Sequence, residues 1–91
     1  MGHTPPKPKR LSAKLFEIRE KLGLSQNGIV RHLGLEGQLS QGKISEFETG
    51  RREPSLLVLL EYARAAGVPM DLLVDDKADL PKQLPGAPKR K

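Results

Sequence analysis

The sequence predicts a compact all-α fold built from five short helices. Four segments begin at a serine, whose hydroxyl can accept a backbone N–H at a helix N-terminus, and continue with apolar residues at helical spacing. Each segment ends at a glycine, which can adopt the left-handed conformation that closes a helix. No stretch alternates apolar and polar residues as a half-buried strand does. The closing glycines are Gly23, Gly34, Gly50 and Gly67.

The first predicted helix begins at Ser12. Leu11 before it and Phe16 after it occupy the two positions of a hydrophobic staple, which fixes how the chain enters a helix. The buried stripe continues with Leu15, Ile18 and Leu22. The charged side chains are expected to face solvent: Lys14, Glu17, Glu20 and Lys21.

The second predicted helix repeats this arrangement, with Leu24 before the capping residue Ser25. Its apolar side consists of Ile29, Val30 and Leu33. Gly28 lies inside it and costs about 1 kcal/mol relative to alanine, so this short helix depends on its neighbours.

The third predicted helix is pinned at both ends, by Ser40 with the staple pair Leu39 and Ile44, and by Gly50. Only Ile44 and Phe47 are large and apolar, so its buried stripe is narrow. The polar residues left on its other faces are Gln41, Lys43, Ser45 and Glu46. This form fits a recognition helix that enters the DNA major groove, and it fits a solvated helix of a small bundle equally well.

The fourth predicted helix follows Pro54, which forbids continuation of the third, and is capped by Ser55. Its broad apolar face consists of Leu56, Leu59, Leu60, Ala63 and Ala66, widened by Leu57 and Tyr62. A fifth helix of one or two turns is predicted from Met70 to Val74, with Leu73 in the core.

The charge distribution divides the chain into a domain, residues 11–76, and two tails. Residues 1–10 carry a net charge of +3 and residues 77–91 carry +4, whereas the residues between them carry −2. Both tails are rich in proline and lysine, so we expect them to be disordered. The first tail is either a solvated segment or a basic arm along the DNA backbone or minor groove.

Composition argues against several classes of protein. The chain has no cysteine, so disulfides and thiolate metal sites are excluded, and a reducing cytoplasm is compatible with that. No apolar run approaches the roughly 20 residues that span a bilayer, and residues 1–10 lack the hydrophobic region of a secretory signal. His3 and His32 are isolated, and no phosphate-binding glycine loop is present. We therefore expect no catalysis, no metal and no cofactor.

From about Leu15 to Val74 the chain resembles the phage repressor and Cro-like helix-turn-helix domain, also called the XRE type. The matching motifs are Leu24-Ser25-Gln26, Leu33-Gly34, residues 44–55, Leu59-Leu60 and residues 63–68. The resemblance implies that the second and third helices form the helix-turn-helix, with the third, about residues 40–49, in the major groove. It also implies sequence-specific binding to double-stranded DNA by a transcriptional regulator.

The same resemblance implies roles for individual side chains. Gln26 would bond a DNA phosphate, and Gln41 would read base edges, since glutamine can bond adenine bidentately. Lys43 would reach a phosphate or a guanine edge, and Ser45 lies on the same predicted DNA-binding surface. Glu46 would accept from cytosine or would reject other sequences by repelling phosphate.

Further roles lie outside the base-reading positions. Arg51 and Arg52 would clamp the DNA backbone, which sets register rather than sequence. Arg19 and Glu48 match positions that form an ion pair between the first and third helices, a structural role. If that pair is partly buried, losing one partner costs roughly 3–5 kcal/mol.

The chain departs from the family pattern at two places. The connection between the second and third helices is about four residues longer than usual, and residues 35–38 hold the excess. The recognition helix is therefore expected to tilt differently, or Gln38 itself to touch the DNA backbone. Gly42 stands where the family has a polar residue, so it either allows a close backbone approach to the groove or softens the helix.

Two functions follow from these observations. The first is a DNA-binding regulator in the cytoplasm, associated with the nucleoid when bound, acting as a homodimer on a palindromic operator. Candidates for its dimer face are Leu57, Tyr62, Met70 and Leu72. The alternative is an antitoxin-like or adaptor module that binds a protein partner, which the negative charge of residues 11–76 favours.

Overall fold

A computed structural model describes residues 8–88, and within them the chain forms five helices and no strand. The helices are α1 (Leu11–Leu22), α2 (Gln26–His32), α3 (Gln41–Glu48), α4 (Leu56–Ala66) and α5 (Asp71–Val74). The predicted all-α fold is therefore confirmed. The predictions for residues 1–7 and 89–91 lie outside the described residues. No helix of the described part is both long and apolar enough to cross a membrane.

The core lies around α1, which packs against α3, α4 and α5, while α2 packs against α3. Side chains from all five helices meet there, and Leu15, Ile18, Ile29, Ile44 and Leu73 are completely buried. Most of the apolar positions with helical spacing in the sequence face inward. This packing holds α2 and α3 together on one side of the molecule.

Serine caps begin three of the helices, as the sequence predicts. The side chains of Ser25, Ser40 and Ser55 accept the N–H groups of Gly28, Lys43 and Val58, respectively. Each cap satisfies a backbone donor that would otherwise lack a partner within its helix. The starts of α2, α3 and α4 are thus local features of the sequence.

The start of α1 differs from the prediction. The helix begins at Leu11 after Arg10, with no side-chain cap, and Phe16 is 46% exposed, so the predicted staple around Ser12 is wrong. The reason is a partner distant in the sequence. The Asp76 carboxylate accepts the N–H groups of Lys9 and Arg10 and thereby fixes the chain just before the helix.

Lys14 was expected to face solvent, but it is only 2% exposed. Its ammonium donates to the carbonyl oxygens of Leu72 at 2.6 Å and Asp75 at 2.7 Å. These carbonyls belong to the end of α5, where helix carbonyls lack partners and the dipole favours a cation. Lys14 therefore caps α5 and ties it to α1.

The apolar face of α4 is narrower than predicted. Leu56 and Leu57 are 71% and 75% exposed, and Leu60 is only partly buried. Tyr62 is completely buried, and burial raises the pKa of its hydroxyl well above the usual range. That hydroxyl has no hydrogen-bond partner among the described residues.

Residues 77–88 were expected to be a disordered tail, and the structure instead packs them against the domain. Leu80 and Leu84 are buried in the core. Lys21 donates to the Pro81 carbonyl at 2.8 Å, and the Gly86 N–H donates to the Ala66 carbonyl at 2.9 Å. The sequence prediction failed because Leu80 and Leu84 each precede a proline and have no helical periodicity, yet both are buried, and their segment is bonded to α1 and α4.

Candidate nucleic-acid interface

The connection between α2 and α3 spans residues 33–40 and is folded on itself. Gly34 and Gly37 have φ angles of +72° and +88°, which non-glycine residues rarely adopt. The Leu35 carbonyl accepts the N–H groups of both Gln38 and Leu39, at 3.0 and 2.9 Å. The longer connection predicted from the sequence is thus a compact turn that ends at Ser40, the N-terminal cap of α3.

α3 presents its first turn to solvent. Gln41, Gly42 and Lys43 are exposed, Ser45 and Glu46 are half-buried, and Ile44 and Phe47 face the core. Eight residues of α-helix measure about 12 Å. The major groove of B-DNA is about 12 Å wide and admits a helix.

Arg19 joins α1 to α3 through a two-pronged contact with Glu48. Its Nε and a terminal nitrogen donate to the two Glu48 carboxylate oxygens at 2.6 and 3.0 Å, and both side chains are largely buried. The hydrogen bond to Glu48 raises the pKa of Arg19, partly opposed by burial. The guanidinium also lies 5.3 Å from the centre of the Phe16 ring.

The Glu48 carboxylate extends this contact to the predicted DNA-binding residues. Gln26 donates from Nε2 to Glu48 Oε1 at 3.2 Å. Gln41 donates from Nε2 to Gln26 Oε1 at 3.3 Å. Four residues thus form one chain of hydrogen bonds from the interior to the exposed end of α3, namely Arg19, Glu48, Gln26 and Gln41.

Lys43 and Gln38 lie together at the start of α3. The Lys43 ammonium donates to the Gln38 backbone carbonyl at 3.4 Å, a long contact for a hydrogen bond. Both side chains are exposed. A contact of that length leaves the ammonium free to move to another acceptor.

Glu46 and Arg52 form an ion pair that the sequence reasoning did not anticipate. Arg52 Nε donates to Glu46 Oε1 at 2.7 Å, and both side chains are substantially exposed. Arg51 is exposed, and its guanidinium makes no hydrogen bond within the described part of the chain. Among residues 8–88, the two arginines after α3 therefore differ, because Arg52 has an acidic partner and Arg51 has none.

Phe16 is a residue of this region that sequence reasoning misplaced. It was predicted to form a hydrophobic staple with Leu11, but it covers the Arg19 guanidinium from the surface. The spacing of three residues on one helix was the available signal, since such residues are neighbours on a helix surface.

Among residues 8–88, no group of three or more His, Asp or Glu residues could hold a metal ion.

A comparison with known protein families identifies the type of domain. A sequence model of the family described as Helix-turn-helix domain matches residues 10–75, well over half of the chain. No curated protein and no solved structure matches the chain significantly. The resemblance predicted from the motifs is confirmed at the level of this family, and such a domain indicates DNA binding. The chain belongs to the helix-turn-helix domain family.

Proposed function

We propose that the protein is a transcriptional regulator that binds double-stranded DNA sequence-specifically, with α3 in the major groove. The observation that carries this proposal is the exposed Gln41 amide at the start of α3, held by Gln26, which is held in turn by Glu48. A side chain fixed by its neighbours loses less freedom on binding. We place the protein in the cytoplasm, on the nucleoid when bound.

Gln41 is the proposed base reader. The Gln26 contact engages one N–H of its amide, and the other N–H and the carbonyl oxygen remain to form a bidentate pair with adenine. Gln26 opens α2, where the helix N-terminus also favours an anion, so we assign it to a DNA phosphate. Ser45 lies one turn further along α3 and would face the same groove.

Lys43 and Gln38 are proposed to contact the DNA beside Gln41. The Lys43 ammonium would exchange its long contact with the Gln38 carbonyl for a phosphate or a guanine edge. Gly42 lies between Gln41 and Lys43 and has no Cβ, so the α3 backbone can come close to the groove.

Glu46 is proposed to act mainly through Arg52. Their ion pair ties the end of α3 to the following turn, and it also lowers the net positive charge that Arg52 offers to DNA. Arg51 is free of such a partner among the described residues, so we assign the stronger backbone contact to Arg51. A cytosine contact by Glu46 would require that the ion pair open.

Two copies of the protein are proposed to bind a palindromic operator. Leu56 and Leu57 are the most exposed large aliphatic side chains among the described residues, and Tyr62 is buried and so cannot contribute to a dimer face. Two leucines cover far less than the roughly 800 Å² that each partner of a stable complex buries. We therefore expect the dimer to form on DNA rather than in free solution.

A protein-interaction module is the second candidate, because the same exposed leucines could contact another protein. Selection of bound fragments from randomised duplex DNA separates the two candidates. A regulator enriches one motif, with two half-sites about one helical turn apart if it binds as a dimer. If no motif is enriched and binding is only weak and salt-sensitive, the proposed function is wrong and the interaction module is favoured.

A further inference from the structure

A cleft of about 230 Å³ lies between the start of α1 and the turn that follows α3. It is lined by residues 8, 9, 11 and 12 on one side and by residues 47 and 50–54 on the other, and we call it the basic cleft. Three cationic residues line it, Lys9, Arg51 and Arg52, against one acidic residue, Glu53. The cleft therefore concentrates positive charge in a domain whose residues 11–76 carry a net charge of −2.

Lys9 is fixed at this cleft by a residue from the far end of the domain. The Asp76 carboxylate accepts the N–H of Lys9 at 2.9 Å and that of Arg10 at 3.0 Å. Arg10 also donates to the Asp76 carbonyl at 2.8 Å and pairs with Asp79. The two N–H donors lower the pKa of Asp76, so its carboxylate is ionised at neutral pH.

The side chain of Lys9 is not used by this arrangement. Only its backbone N–H is bonded to Asp76, and its ammonium makes no hydrogen bond among the described residues. A lysine whose backbone is anchored while its ammonium is free can offer a positive charge at a defined place. An anchor of this kind lowers the entropy that the side chain must lose on binding.

The basic cleft and Gln41 lie at opposite ends of the recognition helix. Phe47 and Gly50, which line the cleft, stand at the C-terminal end of α3, and Gln41 begins it. A helix about 12 Å long in a groove about 12 Å wide has a phosphate backbone near each end. Gln26 faces one backbone in the proposed complex, and the basic cleft would face the other.

We propose that the basic cleft binds a phosphate of the DNA backbone, that Lys9 contacts it, and that Asp76 is a positioning residue that holds Lys9 there. This inference rests on the proposed function and adds a binding site formed by the chain before α1. Asp76 is an acid that strengthens DNA binding, which is opposite to what its charge alone predicts.

The test compares the full chain with Lys9→Ala, Asp76→Ala and the double variant. Binding to the duplex enriched by selection is measured by fluorescence anisotropy between 50 and 200 mM salt. Removing one phosphate contact lowers the slope of log affinity against log salt by about 0.9. The loss for Lys9→Ala is thus expected to be about 3.5-fold larger at 50 mM than at 200 mM salt, for every sequence tested.

Asp76→Ala is expected to weaken binding with the same change in slope, and the double variant is expected to bind no more weakly than Lys9→Ala. Asp76→Asn keeps one acceptor oxygen and should lie between Asp76→Ala and the original chain. Matched controls are Lys82→Ala and Asp71→Ala, both exposed and outside the cleft. Asp71→Ala should leave affinity unchanged or raise it, and circular dichroism checks that each variant is folded.

Two results would overturn the inference. One is an unchanged salt slope for Lys9→Ala, or a change no larger than that of Lys82→Ala. The other is tighter binding by Asp76→Ala and Asp76→Asn, as charge alone predicts. If Gln41→Ala still relaxes specificity in either case, the proposed function stands and only the cleft assignment fails. If the original chain enriches no duplex, both are wrong.

Discussion

Arg19 connects the buried core to the residues proposed to contact DNA. Its paired bonds to Glu48 hold α3 against α1, and the same carboxylate holds Gln26. Because both partners are largely buried, removing one leaves the other charge without compensation. The geometry of the exposed Gln41 therefore depends on an ion pair that is largely buried.

We expect Arg19→Ala to lower the free energy of unfolding by about 3 kcal/mol. Urea denaturation measures this, with Arg64→Ala as the matched control, because Arg64 forms an exposed pair with Glu61 worth at most about 1 kcal/mol. Equal losses for the two variants would show that the buried pair has no special role.

Tyr62 differs from Arg19, because its buried hydroxyl has no hydrogen-bond partner among the described residues. Tyr62→Phe removes that unsatisfied group while keeping the ring, so stability at pH 7 should be unchanged or higher. Because the folded state raises the pKa of Tyr62, stability should fall as pH rises above about 10, where the unfolded tyrosine ionises. Urea denaturation at pH 7 and pH 10.5 checks both effects. A clear loss of stability at pH 7 would mean that the hydroxyl has a partner.

The starts of α2, α3 and α4 follow from local sequence. The side chains of Ser25, Ser40 and Ser55 each accept the N–H of the residue three positions later. The pattern of neighbouring residues is therefore enough to predict where these helices begin. The start of α1 depends on Asp76, which no local pattern reveals. The prediction that Lys14 faces solvent was wrong for the same reason, because its partners are carbonyl oxygens at the end of α5.

The segment of residues 77–88 belongs to the folded domain, and Leu84 tests this directly. Leu84→Ala should lower the free energy of unfolding by about 2–3 kcal/mol, because it removes a buried leucine side chain. The matched control is Leu57→Ala, a change at an exposed leucine that should stay within about 0.5 kcal/mol. Thermal and urea unfolding measure both. No loss for Leu84→Ala would contradict the packing of this segment.

The candidate site was partly predictable from sequence. The motifs assigned both Gln26 and Gln41 to contacts with DNA, and the structure joins the two side chains by a hydrogen bond. The Glu46–Arg52 pair and the cleft beside Lys9 were not predictable, because they depend on how a turn and a distant segment fold against α1 and α3. Sequence pattern thus located α3, and tertiary contacts determined which charges on it and after it are paired among the described residues.

At the scale of the whole molecule, the exposed leucines of α4 predict assembly that depends on DNA. Leu57→Glu should prevent two copies from binding a palindromic duplex together and should leave binding to a single half-site unchanged. Sedimentation of the protein with each duplex measures this, with Glu61→Gln on the same helix as the control. Two copies binding equally well after Leu57→Glu would place the dimer face elsewhere.

The central claim is that Gln41 reads a base in the major groove. The measurement is the affinity of the original chain, Gln41→Ala and the exposed control Gln83→Ala for the selected operator and for duplexes with each base pair changed in turn. We expect Gln41→Ala alone to lose about 1–3 kcal/mol on the operator and to stop discriminating at one position of each half-site. If Gln41→Ala keeps full discrimination at every position, α3 does not read DNA through this residue and the claim is wrong.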